Sequence, residues 1–127
     1  MKRRLTRMVL AALLAALAGC AAHLQEPRSY LVYFVRDSAD LTGEAQQVVA
    51  TIAEARTKLG PSHITVEGRA DGGTPHDATL ADERARVVSR ALVAAGIDPA
   101  MISLQPSAPP PGITGVAAHQ VTIRFVP

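Results

Sequence analysis

From Tyr30 to Val35 the chain reads Tyr-Leu-Val-Tyr-Phe-Val, β-branched and aromatic without clean alternation. That pattern predicts a strand covered on both faces, hence a central one. Thr42 then stands where a hydroxyl caps a helix, and Glu44 falls in the first turn. Val48, Ile52, Ala55 and Leu59 recur at helical spacing until Gly60-Pro61 stops them. His63 to Glu67 alternates, with Ile64 and Val66 on one face, so a second strand ends at Gly68. After the turn-rich Gly72-Gly73-Thr74-Pro75, Asp77 is placed to cap a second helix running through Leu80, Val87, Val88, Ala91, Leu92 and Ala95. Gly96 sits where a left-handed terminator belongs, and Asp98-Pro99 turns the chain. Met101 to Gln105 and Val121 to Phe125 complete the set as strands, separated by a Pro/Gly-rich loop from Pro106 to Gly115. A β-α-β-α-β-β order of this kind predicts an α/β (α+β) sandwich, a mixed sheet with two helices on one face.

The first residues follow a different logic. Lys2, Arg3, Arg4 and Arg7 precede an apolar run from Met8 to Ala18 that closes on small residues, the layout of a signal peptide. The run is well short of the ~20 apolar residues that span a bilayer. It ends in Leu17-Ala18-Gly19-Cys20, which resembles the lipobox of bacterial lipoproteins, and Cys20 is the chain's one cysteine, so no intramolecular disulfide competes for it. The resemblance implies lipidation of Cys20, and Ala21 in place of an aspartate implies the outer membrane. The expected divisions are a signal peptide at 1–19, the lipidated cysteine and a short tether at 20–29, and a periplasmic domain at 30–127.

Removal of the signal reverses the charge balance. Without the four cations at positions 2, 3, 4 and 7, nine of the 13 basic residues remain against 11 acidic ones. An acidic, aromatic-poor domain has neither the basic stripe nor the stacking platform that nucleic acid requires. With its cysteine spent on lipid, the chain offers no nucleophile paired with a base.

One residue breaks the pattern of its helix. At about 100° per residue, Asp82, Glu83, Arg86 and Arg90 fall away from the apolar stripe, but Arg84 falls in its middle. A guanidinium keeps its charge and is costly to bury unpaired. Either Arg84 reaches solvent or it has a carboxylate partner, and the candidate is Asp71, in the loop that leads into this helix. An arginine and an aspartate held at the mouth of a loop form a receptor for a zwitterion: the planar fork takes a carboxylate and the aspartate takes an ammonium. A salt bridge that only fixes the loop to the helix uses the same two residues, and spacing does not separate the two uses.

These residues resemble the C-terminal peptidoglycan-binding domain shared by OmpA, MotB and the peptidoglycan-associated lipoprotein. The match runs from about Tyr30 to Val126. It is carried by Phe34-Val-Arg-Asp-Ser-Ala-Asp-Leu-Thr-Gly-Glu-Ala45, by Val66-Glu-Gly-Arg-Ala-Asp71, and by Asp77-x-x-Leu80-Ala-x-x-Arg84-Ala85-x-x-Val88-x-x-x-Leu92-x-x-x-Gly96-Ile97. The resemblance implies that Asp71 and Arg84 bind the ammonium and α-carboxylate of diaminopimelate in the stem peptide, noncovalently and without cofactor, with Asp77 at the family's asparagine position beside them, and so a binding module rather than an enzyme. Peptidoglycan and the outer membrane are the implied partners, with other envelope proteins beyond them. The chain departs from the pattern at Arg69 and Ala70, where the family has His and Thr, and in an Asp71 to Asp77 loop two residues shorter. It departs again at Ala118-His119-Gln120, where the family has Asn-Arg-Arg.

A metal site of Asp71, His76 and Asp77 has suitable ligand types, but they crowd one loop without a distant fourth ligand, so none is expected. His63 and His119 read as exposed strand residues, and Pro109-Pro110-Pro111 as a stiff loop. The nine residues from Ala21 to Ser29 span at most about 30 Å. Two classes of function therefore stand: an anchor for peptidoglycan, and a degenerate domain of the same fold acting as a structural or protein-interaction module in the periplasm.

Overall fold

A threonine starts each of the two helices. Thr42 Oγ1 accepts from the Ala45 amide at 3.2 Å and opens α1, Gly43–Leu59; Gly60 closes it at φ 79°. Thr74, rather than Asp77, caps α2, Pro75–Ala94. Its Oγ1 accepts from the Asp77 amide at 3.2 Å, while the Asp77 carboxylate accepts from the Thr74 amide at 3.0 Å. That reciprocal capping box, with proline in the first turn, places Asp77 at the third helical position, where an acid also meets the positive end of the helix dipole. At the far end the Gly96 amide donates to Val93 and the Ile97 amide to Leu92, with Gly96 at φ 98°. This is the expected left-handed stop, and Ile97 and Leu92 are both buried beside it.

The computed structural model describes residues 28–72, 74–105 and 114–126. Cys20, the signal segment, most of the tether and the proline run lie outside them. The strands are β1, Ser29–Tyr33; β2, His63–Gly68; β3, Ile102–Gln105; and β4, Gln120–Val126. They form one mixed sheet in the order β1-β4-β2-β3. β4 is antiparallel to β1 and β2, whereas β2 and β3 are parallel and joined through α2. The β-α-β-α-β-β order and the mixed sheet with two helices hold. The placement of the first strand does not.

β1 is an edge strand, not a central one. Leu31 and Tyr33 are exposed on the sheet's open face while Val32 is fully buried. Its apolar run misleads because an edge strand places large side chains over the margin of the sheet without a covering layer. The last strand takes the centre, and β4 buries Val121, Thr122, Ile123 and Phe125. Between sheet and helices lie Val32, Ile52, Ile64, Val66, Val88, Leu92 and Ile123. α2 packs through Leu80, Ala81, Arg84, Ala85, Val88 and Leu92; Val87 and Ala91 flank that face and Ala95 is exposed. Among the described residues no helix is long and apolar enough to cross a membrane.

Where α2 crosses the end of β2 the backbones almost touch. A Cβ on Gly68 would overlap the Ala81 carbonyl oxygen and lie 2.9 Å from its carbon. Small residues on both sides, Gly68, Ala81 and Ala85, allow this approach and bring Arg84 to the loop that follows β2.

Candidate functional site

Three chain segments meet at this end of the sheet. The Phe34 amide donates to the His119 carbonyl at 2.7 Å, and the Arg69 amide to the Gln120 carbonyl at 2.9 Å. The segments leaving β1 and β2 are thus laced to the segment entering β4. Arg84 reaches them from α2. Its exposure is 0%, and its charge is met by backbone. Nε donates to Ser38 O at 2.7 Å, Nη1 to Arg69 O at 2.8 Å, and Nη2 to Val35 O at 3.0 Å. The guanidinium carbon lies 5.4 Å from the centre of the Phe34 ring, within cation–π range.

Arg84 therefore takes neither of the two partners its sequence context suggests. Chains turning out of strands leave carbonyls without ladder partners, and buried carbonyls need donors. A planar fork with five N–H groups serves three at once, which no other side chain does. Asp37, between two of those carbonyls, turns the loop at φ 55°, a left-handed conformation that aspartate tolerates. Burial lowers the pKa of Arg84 from its usual value, and the negative charges of Asp71 and Asp37 oppose that shift. Among the described residues no ion pair joins Arg84 to Asp71.

Asp71 stands in front of this clamp, its side chain 31% exposed. Oδ2 lies 3.1 Å from His119 Nε2 and 3.9 Å from Arg36 Nη2. Oδ1 is desolvated and has no hydrogen-bond partner. The hydrogen bond with His119 lowers the Asp71 pKa, burial opposes it, and the positive charges of His119, Arg36 and Arg84 lower it further. A group lowered in this way is ionised throughout the neutral range. It favours the folded state above the unfolded-chain value of about 3.9, and that contribution is lost as pH falls through the lowered folded value.

The structure thus gathers Asp71 and the Arg84 clamp at one place. Asp77 borders the same loop, with its Oδ2 committed to Thr74 through the amide and a 2.6 Å contact with the hydroxyl. His76 is exposed, and among the described residues no three His, Cys, Asp or Glu side chains converge as a metal site would require. His119 corrects the sequence reading: it is 9% exposed and ends a short 3-10 turn, Gly115–Ala118, instead of facing solvent from a strand. Its role and that of Arg36 were hidden, because both depend on contacts across 48 and 35 residues of chain. The one available signal was at the family's Asn-Arg-Arg positions, where His119 is the remaining ionisable side chain.

Residues 33–109 match the OmpA family. An outer membrane protein of Gluconacetobacter diazotrophicus is 32% identical over 85 residues, which cover 61% of this chain and 22% of that protein. The chain thus spans about a fifth of that relative's length. Among solved structures, the OmpA-like domain of FopA1 from Francisella tularensis superposes with a TM-score of 0.67 at 20% identity, over 78% of this chain and 72% of that one. The peptidoglycan-associated lipoprotein of Burkholderia pseudomallei gives 0.60 at 24% identity, over 79% and 89%. The C-terminal domain of Helicobacter pylori MotB gives 0.63 at 22%, over 81% and 86%. At such identities the structural likeness is one of fold.

Proposed function

This chain belongs to the OmpA family, and from that premise we propose that its domain binds peptidoglycan noncovalently through the zwitterionic head of diaminopimelate, while a lipid on Cys20 holds it to the outer membrane. The observation that carries this reading is the Asp71 carboxylate. One of its oxygens is unpartnered on a side chain that is 31% exposed, and an acceptor left without a donor favours any donor that reaches it. An ammonium supplies that donor and the opposite charge.

Arg84 contributes the fixed positive charge behind the loops that the ligand's carboxylate approaches, and Arg36, whose side chain is 67% exposed, supplies an accessible guanidinium. Asp77 fixes the loop between Asp71 and α2. The second reading, a fold-keeping domain that docks proteins, is favoured by one observation: Arg84 already gives hydrogen bonds to three carbonyls.

The two separate on co-sedimentation of the full chain, solubilised in detergent, with purified sacculi containing diaminopimelate. Wild type is expected to pellet, free diaminopimelate to release it, and Asp71→Asn to bind at least about tenfold more weakly while still folded. A folded wild-type protein that stays in the supernatant overturns the anchor in favour of the protein-docking module.

A further inference from the structure

Arg84 is out of a ligand's reach. Its exposure is 0%, and each of its three side-chain nitrogens already donates to a carbonyl, those of Ser38, Arg69 and Val35. Two of these carbonyls bracket Arg36. The Ser38 amide donates to the Val35 carbonyl at 3.2 Å and closes a turn whose central residues are Arg36 and Asp37, the latter at φ 55°. Arg84 therefore grips this turn at both ends and fixes the base of the Arg36 side chain, which is itself 67% exposed. Arg36 Nη2 stands 3.9 Å from Asp71 Oδ2, beyond hydrogen-bond length, and among the described residues the Arg36 guanidinium gives no hydrogen bond. Its donors are unspent.

Three basic side chains act on Asp71: His119, Arg36 and Arg84. The His119 ring is 11% exposed and lies against Oδ2, Arg84 is enclosed, and Arg36 is the one of the three that solvent reaches. An α-ammonium and its carboxylate share one carbon, so their two partners must stand side by side, as Asp71 and Arg36 do. Resting on the proposed zwitterion site, we infer that the ligand's α-carboxylate is taken by Arg36, whose turn Arg84 holds, and not by Arg84 itself. The ammonium then goes to Asp71, where Oδ1 has no partner, and the planar fork of Arg36 meets the carboxylate with two parallel hydrogen bonds. Such a ligand bridges the turn after β1 and the segment after β2. A plain amine engages the second alone and meets Arg36 as a like charge, so Arg36 is the residue that distinguishes an amino-acid head from an amine.

The test is titration of the full chain in detergent, read by amide chemical shifts, with meso-diaminopimelate and with cadaverine, which keeps the carbon chain and both ammonium groups but lacks the carboxylates. Wild type is expected to bind meso-diaminopimelate at least about tenfold more tightly than cadaverine, and Arg36→Gln to bind meso-diaminopimelate about tenfold more weakly than wild type does. The same substitution is expected to strengthen cadaverine binding, because it removes a cation from beside the ammonium. Arg36→Lys keeps the charge without the fork and should recover part of the lost affinity. A residue that merely shapes the turn would weaken both ligands together. Unchanged meso-diaminopimelate binding by Arg36→Gln, an equal loss of both ligands, or a wild type that does not distinguish them overturns the role of Arg36 and leaves a ligand site at Asp71 standing. Absence of binding of either ligand by folded wild type overturns both.

Discussion

Arg84→Ala is expected to lower the stability of the domain by about 3–5 kcal/mol. The substitution removes a fully buried guanidinium, takes from the carbonyls of Ser38 and Arg69 the donor it supplied, and leaves the Val35 carbonyl with the Ser38 amide alone. It also leaves a void against the Phe34 ring. Domains of this size have about 5–15 kcal/mol in total, so a large part of the population would lose its fold at physiological temperature. Urea denaturation followed by circular dichroism measures the loss. Arg84→Lys retains the charge but not the fork, and a single ammonium on a flexible stem does not fan out to three separate carbonyls; it should recover less than half of the loss. A cost below about 1 kcal/mol for the alanine variant would mean that the clamp is not a structural element. Loss of wall binding by Arg84→Ala would report unfolding as readily as a lost contact, which makes Asp71 the cleaner position to test.

Gly68→Ala should be comparably severe, at about 3 kcal/mol or more. The new methyl would overlap the Ala81 carbonyl and press within 3.2 Å of the Ala85 side chain. Because the obstacle is helix backbone, not the tip of a flexible side chain, relief requires α2 to move off β2. That movement would carry Arg84 away from its carbonyls, so two losses would arrive together. Gly43→Ala is the matched control: nothing lies within 4 Å of its Cβ position, and a change within about 0.5 kcal/mol is expected. Equal effects at the two glycines in denaturant midpoints would mean that β2 and α2 are not as close as described.

The fold was legible where local chemistry decides it. Thr42, Gly60 and Gly96 mark helix ends through their own side chains or their lack of one, and the structure puts helix ends there. Strand position within the sheet was not legible in the same way. Tyr30 to Val35 is a short apolar run and Val121 to Phe125 an alternating one, yet which becomes the edge depends on pairings across most of the chain, in this case Tyr30 with Ile123 and Ile123 with Val66. Local chemistry misplaced one cap. Asp77 is a good capping residue, yet Thr74 three residues earlier completes the reciprocal pair, and two hydrogen bonds outweigh one.

The site was half legible. Periodicity singled out Arg84 because a charge in an apolar stripe demands a partner, but a side-chain pattern says nothing about backbone carbonyls, and these proved to be the partners. Asp71 is legible as a carboxylate in the loop leading into the helix of Arg84, and again in the Val66 to Asp71 motif. His119 escaped because its neighbours in sequence, Ala118 and Gln120, suggest the start of a strand and give no sign of a carboxylate 48 residues away.

The proposed function requires that a zwitterion bind at Asp71, in front of the Arg84 clamp. Amide chemical-shift mapping of the full chain in detergent, titrated with meso-diaminopimelate, tests it most directly. The expected result is a saturable set of shifts confined to residues 35–38, 69–72 and 118–120, absent in Asp71→Asn. Shifts centred elsewhere, or none at saturating ligand, would contradict it.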